Sequence, residues 1–189
     1  MSQSHIVFFI GKPGSGKGTQ AELLSLATGW PTFGTSAGLR EIVATGTAAG
    51  HKLQATMDAG VLTPYWVATH VFLKKLFSIT DTESIIFDGT SRTLPEAQIV
   101  FDALKWLDRP YKIFELQVSD DTVRRRIDLR KQTSGRKDDD ALDTRLQEYY
   151  ANTEPGISYL RGQGILTELN GEKSPDEVAA EVRKILNLE

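Results

Sequence analysis

A chain of 189 residues with 40% hydrophobic content can bury one substantial core, so one domain with mobile inserts is expected. A formal net charge of −3 weighs against a general nucleic-acid or membrane-surface binder, and any anion site must be made locally by clustered cations. The absence of cysteine excludes disulfides and thiolate metal sites and fits a reducing cytoplasm.

The chain opens on Ile6, Val7, Phe8, Phe9 and Ile10, an apolar run that reads as a strand buried on both faces in the middle of a parallel sheet. No basic segment with a cleavage site precedes it, so no secretion signal is expected. Gly11, Gly14, Gly16 and Gly18 follow, with Lys17 and Thr19, before Ala21-Glu22-Leu23-Leu24 opens a helix. Glycines let the backbone turn its N–H groups inward as an anion nest, and the helix start adds unpaired donors and the positive end of a dipole. Lys17 supplies a full charge to β- and γ-phosphates. Gly11, Gly16 and Lys17 satisfy the pattern G-x4-G-K-[ST], although Gly18 stands where Ser or Thr is usual and Thr19 comes one later. The bland alternative is a glycine-rich turn with a surface lysine; the strand before and the helix after favour a nucleoside-triphosphate site.

The 35–63 region is rich in Gly, Ala and Thr and poor in large apolar side chains, with a helix expected over Ala48 to Ala59. That composition suits a small helical insert moving on the main body, or else an ordinary helical hairpin. After the turn Gly60 to Pro64, a long amphipathic helix runs to about Phe77. Ser84 to Gly89 is a second buried strand. Its acidic end, Asp88, either holds Mg²⁺ across from the phosphate loop or merely forms a turn. Arg92 follows on the edge where open α/β sheets bind ligands. A helix over Pro95 to Leu107 and a third strand over Tyr111 to Val118 come next.

From Asp120 onward the charge changes character. The helix begun by Asp120-Asp121-Thr122 bears Arg124, Arg125, Arg126 and Arg130, and the last two, four apart, share a face. Arg136 sits in a Gly/Ser loop ahead of Asp138-Asp139-Asp140, and Arg145 lies on the next helix, Leu142 to Tyr150. Arg124 and Arg125 read as a solvated face. The spaced set Arg126, Arg130, Arg136 and Arg145 can instead cage a polyphosphate, because guanidinium binds phosphate bidentately and stays charged. Asp138 and Asp139 can pair with those arginines when substrate is absent. A strand at Ile165 to Leu169 and a helix from Pro175 to Leu186 close the chain. Such alternation predicts an α/β fold, a three-layer doubly wound parallel β-sheet. Trp30, Trp66 and Trp106 are expected in the core or packed on it, and no apolar run approaches the roughly 20 residues of a membrane span.

Over nearly its whole length the chain resembles adenylate kinase and related nucleoside monophosphate kinases. The matching stretches are GKPGSGKGTQ at 11–20, Thr35 to Arg40, MDAG at 57–60, DGTSRTLPEA at 88–97, RIDLRKQTSGRKDDD at 126–140 and RLQEYYANTEP at 145–155. The spacing RxxxR…SGRxDD is similar to short-lid members. The resemblance implies a core of 1–33, 64–129 and 141–189, an acceptor-binding insert at 34–63 and a lid at 130–140. It implies that Gly14, Ser15, Gly16, Lys17, Gly18 and Thr19 bind the phosphates of ATP, with Arg126 and Arg130 on the lid side and Lys173 and Ser174 near its adenine. Arg40 and Arg92 would hold the acceptor monophosphate; Thr35, Val61, Leu62, Thr63, Gly89 and Glu96 would frame its base. Lys17, Arg92, Arg126, Arg130, Arg136 and Arg145 would act on the transferred group, the last two also facing the acceptor. Asp88 with Thr19 would organise Mg²⁺, largely through water.

The chain also departs from the family pattern. Ala37 replaces an Asp, Thr90-Ser91 replaces Phe-Pro, and Glu96 replaces the Gln that commonly reads the acceptor adenine. An ionised glutamate only accepts hydrogen bonds, which suits the N6 amino group of adenine, repels its N1 lone pair, and matches guanine donors at N1 and N2. The first reading is therefore reversible transfer from MgATP to AMP by a cytoplasmic monomer, without nucleic acid or membrane. A kinase for GMP, dGMP or a pyrimidine nucleotide is the second, and a weakly active nucleotide-binding sensor or assembly factor the third.

Overall fold

β-Branched and aromatic side chains without a polar interruption place β1 (Ile6–Gly11) in the middle of the molecule, where its first five residues are all buried. In the computed structural model, which describes residues 5–59, 61–134 and 142–188, β1 pairs in parallel with two strands. They are β3 (Ile85–Asp88) on one side and β4 (Tyr111–Gln117) on the other. β2 (Thr32–Gly34) and β5 (Leu166–Asn170) form the edges, giving the all-parallel order β2-β3-β1-β4-β5. The expected doubly wound sheet is present.

Successive side chains of a strand face opposite sides, and β1 uses both. Val7 and Phe9 pack with α1 (Lys17–Thr28) and α9 (Pro175–Ile185). Phe8 and Ile10 pack with α4 (Tyr65–Phe77), α5 (Leu94–Leu107) and α8 (Glu154–Gly162). Phe8 stacks on Phe87 with centroids 5.0 Å apart, and Phe72 closes on Phe87 at 5.1 Å. Because β1 feeds a helix on one face and neighbouring β3 feeds α5 on the other, their carboxyl ends border a crevice.

Two smaller cores lie outside the sheet. α2 (Thr35–Ala44) and α3 (Ala48–Asp58) share Leu39 and Leu53 with Val71 of α4. A Cβ on Gly38 would lie 2.4 Å from Val71 Cγ1, so only glycine lets α2 approach α4 this closely. α6 (Asp120–Ser134) and α7 (Leu142–Glu148) share Val123, Ile127, Leu142 and Leu146, and a π-turn at Tyr149–Thr153 leads from α7 into α8. Among the described residues no helix is long and apolar enough to cross a membrane.

Some expectations need correction. Trp66 and Trp106 are 65% and 77% exposed rather than packed, Trp106 meeting only the edge of exposed Phe77 among aromatic neighbours. Trp30 is half-buried and stacks on His5 at 5.0 Å. The start of α5, by contrast, is the one its sequence dictates: Thr93 caps the helix by accepting the Glu96 N–H, and Pro95 sits in the first turn. Thr93→Ala should cost about 1 kcal/mol. That corresponds to a fall of roughly 2–4 °C in Tm by differential scanning calorimetry; an unchanged Tm counts against the cap.

Candidate active site

The phosphate loop turns through Gly14 and Gly16 at φ +74° and +103°, left-handed conformations that favour glycine. Gly16 precedes α1 with no side-chain cap, so the first-turn N–H groups of that helix are left to a ligand. Ser15 Oγ is buried there with no hydrogen-bond partner among the described residues. Lys17 Nζ donates to the carbonyls of Gly11 at 2.8 Å and Lys12 at 2.7 Å. Burial is the main force pulling its pKa down to about 8. Asp88 opposes the fall, and the positive charges of Arg92, Arg145 and Arg130 add to it. Four expected site residues thus act electrostatically on one ammonium.

Asp88 ends β3 half-buried, and its Oδ2 lies 3.5 Å from where a Cβ on Gly18 would stand. A Cβ at 18 would be in ordinary van der Waals contact with that carboxylate. Among the described residues no three His, Cys, Asp or Glu converge as a metal-holding group. One carboxylate facing a phosphate loop nevertheless fits Mg²⁺, which keeps several waters and takes one or two carboxylates plus substrate phosphates. Thr19, exposed in the first turn of α1, offers a hydroxyl nearby in sequence. Arg92 Nε donates to Gly89 O at 2.9 Å across a bend in which Gly89 and Ser91 both have positive φ, +75° and +59°. For buried Ser91 that conformation costs on the order of 1 kcal/mol or more.

From α6, Arg126 donates to Ser15 O at 3.1 Å and to Gly171 O at 2.6 Å, joining the phosphate loop to the turn after β5. Lys173 pairs with Glu181 at 2.9 Å and Ser174 caps α9 in a capping box. Arg124 pairs with Asp143 on the surface, as a solvated face should. Arg136, Asp138 and Asp139 lie outside the described residues. Arg40 is exposed on α2; Val61 is exposed, while Leu62 and Thr63 are half-buried.

Thr35 and Glu96 line a tight crevice, with no room for a water molecule, between the starts of α2 and α5 and the flank of α4. Glu96 is buried; its Oε2 accepts the Arg92 backbone N–H at 2.9 Å, and burial is the first reason that its carboxyl is pushed up from the ordinary range. Thr69, Thr90 and Ser91 complete the polar lining. The hydroxyls of Thr35, Thr69 and Thr90 are buried there with no hydrogen-bond partner among the described residues. Sequence reasoning missed Thr69, which carries no motif, and treated Thr90 and Ser91 only as departures. A second cleft of about 330 Å³ runs beside Gly18 and Asp88 along α1.

The family model described as adenylate kinase matches residues 9–165. The chain is 34% identical over 191 residues to an adenylate kinase of Thermus thermophilus, covering 100% of both chains. It is 36% identical over 187 residues to an adenylate kinase of Maricaulis maris, covering 96% of this chain and 98% of the relative. With adenylate kinase isoenzyme 1 of Gallus gallus it shares 34% over 185 residues, covering 96% and 94%.

Proposed function

The chain belongs to the adenylate kinase family, a phosphotransferase family that moves a phosphoryl group between ATP and a nucleoside monophosphate, and from this premise we propose that its acceptor is AMP, with two ADP as products. One observation supports phosphoryl transfer most, whatever the acceptor base: Asp88, Arg92, Arg130 and Arg145 all act electrostatically on the buried Lys17 ammonium beside the glycine loop. The acceptor's phosphate oxygen is itself a nucleophile, so the protein needs no covalent intermediate and no strong base. Positioning and charge stabilisation carry the rate.

In this reading Gly14 to Thr19 cradle the ATP phosphates and Lys17 leaves its two carbonyls to follow the moving group. Arg126, Arg130, Arg136 and Arg145 offset charge from the lid side. Arg40 and Arg92 hold the acceptor phosphate, and Thr35, Val61 to Thr63, Gly89 and Glu96 frame its base. Lys173 and Ser174 pass the ATP adenine by backbone. Asp88, with Thr19, would hold Mg²⁺ through water, and the chemistry such an ion would supply is neutralisation of phosphate charge. Movement of 34–63 and of 130–140 against the core would exclude water and limit ATP hydrolysis. The same reading takes the protein as a monomer in the cytoplasm, a setting that the lack of cysteine fits.

The second reading, in which a guanine nucleotide serves as acceptor, rests on the acceptor-only chemistry of an ionised Glu96 where Gln is usual, and the burial that pushes this carboxyl up weighs against it. A coupled assay across AMP, GMP, CMP and UMP decides between them. AMP should give the highest kcat/KM, and Glu96→Gln, which restores a donor toward adenine N1, should raise kcat/KM for AMP about tenfold. A wild-type preference for GMP overturns the proposal.

A further inference from the structure

We infer that Lys12, Asp120 and Tyr150 form a positioning triad that fixes the phosphate loop against the helices bearing the arginines, and so sets where Lys17 stands. Lys12 Nζ lies 2.6 Å from Asp120 Oδ1, and Tyr150 OH donates to the same oxygen at 2.7 Å. The ammonium also stands 5.2 Å from the centroid of the Tyr150 ring, within reach of a cation–π attraction. One carboxylate oxygen thus collects donors from the loop and from the π-turn.

The main chain of Lys12 gives this contact its consequence. Its carbonyl accepts both Lys17 Nζ at 2.7 Å and the Ser15 N–H at 3.1 Å. A single residue therefore anchors the loop outwardly by its side chain and cradles the Lys17 ammonium inwardly by its carbonyl. The partners are equally placed. Asp120 is the first residue of α6, which bears Arg126 and Arg130; Tyr150 lies in the π-turn directly after α7, which bears Arg145. A π-turn inserts an extra residue into a helix and redirects the side chains it carries. Tyr150 is backed by the edge of Tyr149 at 5.3 Å, whose OH is held by Glu154 at 2.8 Å. With the Arg126–Ser15 bond, the triad makes a second tie between the loop and α6. The side chains of Lys12 and Asp120 are 18% and 39% exposed, so solvent screens the pair and its worth to stability is small. Its effect belongs to placement: small displacements of a phosphate-binding group cost rate disproportionately.

This inference rests on the phosphotransfer reading, and its test separates the two. Lys12→Met, Asp120→Asn, Tyr150→Phe and Lys12→Arg are compared with wild type by calorimetric titration with MgATP, by steady-state kinetics in both substrates, and by Tm. Lys12→Met and Asp120→Asn should weaken MgATP binding about fivefold and lower kcat about tenfold, with KM for the monophosphate within about twofold. Tyr150→Phe should move both quantities the same way but less, Lys12→Arg should recover most of the loss, and the Lys12→Met/Tyr150→Phe double variant should be no worse than Lys12→Met alone. Tm should stay within about 3 °C of wild type. Wild-type MgATP affinity and kcat in Lys12→Met, an equal rise in both KM values, or simple additivity overturns the triad. If wild type transfers phosphate to no monophosphate, the phosphotransfer reading fails, and MgATP titration of the same variants still tests the triad.

Discussion

Lys17→Met should lower kcat about 10³-fold while leaving the fold intact. The side chain is the one full positive charge on the phosphate loop itself that reaches the loop's interior, and removing one preorganised charge-stabilising group costs about 10²–10³ in kcat. Met matches the length of the lysine stem and forfeits only two hydrogen bonds to carbonyls. Tm should therefore hold, because the ammonium is itself disfavoured by burial at this position. Stopped-flow or coupled assays with a circular-dichroism melt check both halves. Turnover within tenfold of wild type removes Lys17 from the reaction.

The same ammonium predicts a pH signature. Its pKa in the free protein is lowered to about 8, so above that pH the neutral amine prevails and attraction for the incoming phosphates declines. Since kcat/KM reports free-enzyme ionisations, kcat/KM for ATP should fall on the alkaline side of about 8. The limb in kcat should lie higher, because bound phosphates favour the charged form. Asp88 resists the loss of the proton while Arg92, Arg130 and Arg145 promote it, so Asp88→Asn should shift the limb to lower pH.

Buried strands were legible because continuous apolar runs have one good use in a chain of this size. Ile6 to Ile10, Ser84 to Gly89, Tyr111 to Val118 and Ile165 to Leu169 each fall within a residue of β1, β3, β4 and β5. β2 was not legible: it has three residues, pairs only with β3, and includes just one large apolar side chain, Phe33. α8 was also missed. Its start, Glu154-Pro155-Gly156, reads as a turn, yet Pro is tolerated in the first turn and Gly156 is required by a close approach to Thr93 O. Motif spacing led to the expectation that Lys17, Asp88 and the spaced arginines share a site, and Asp88, Arg92, Arg130 and Arg145 do act on the Lys17 ammonium. The lining by Thr69 and the Lys12–Asp120–Tyr150 contact were not, because they depend on where separate helices cross, which no local pattern records.

Arg161→Met should destabilise the protein by about 3 kcal/mol at pH 7, through a carboxylate left without its partner. Glu115 lies on β4 with 4% exposure, and both its oxygens accept from Arg161 Nη2 at 2.9 Å. Arg161 also reaches Glu168 at 3.2 Å and Glu154 at 3.6 Å, so its loss exposes Glu115 to two like charges as well. The value sits at the low end for a broken buried pair because the guanidinium is itself 39% exposed. Burial already pushes the Glu115 carboxyl above its ordinary range despite Arg161, and removing Arg161 pushes it further. A folded-state pKa above the unfolded one means that the folded protein holds a proton the unfolded chain has released, so stability falls as pH rises through that interval. The deficit of Arg161→Met should therefore be smallest near pH 5 and grow toward pH 8, and Glu115→Gln in the same background should recover much of it. Urea melts at several pH values measure this directly; a deficit below about 1 kcal/mol, or one that grows as pH falls, contradicts it. The consequence reaches the active site, because Glu115 stands in register with Ile10, one residue before the phosphate loop begins. A sheet loosened at that point loses the rigid base from which Gly11 to Lys17 present their donors, so kcat should fall alongside stability at high pH.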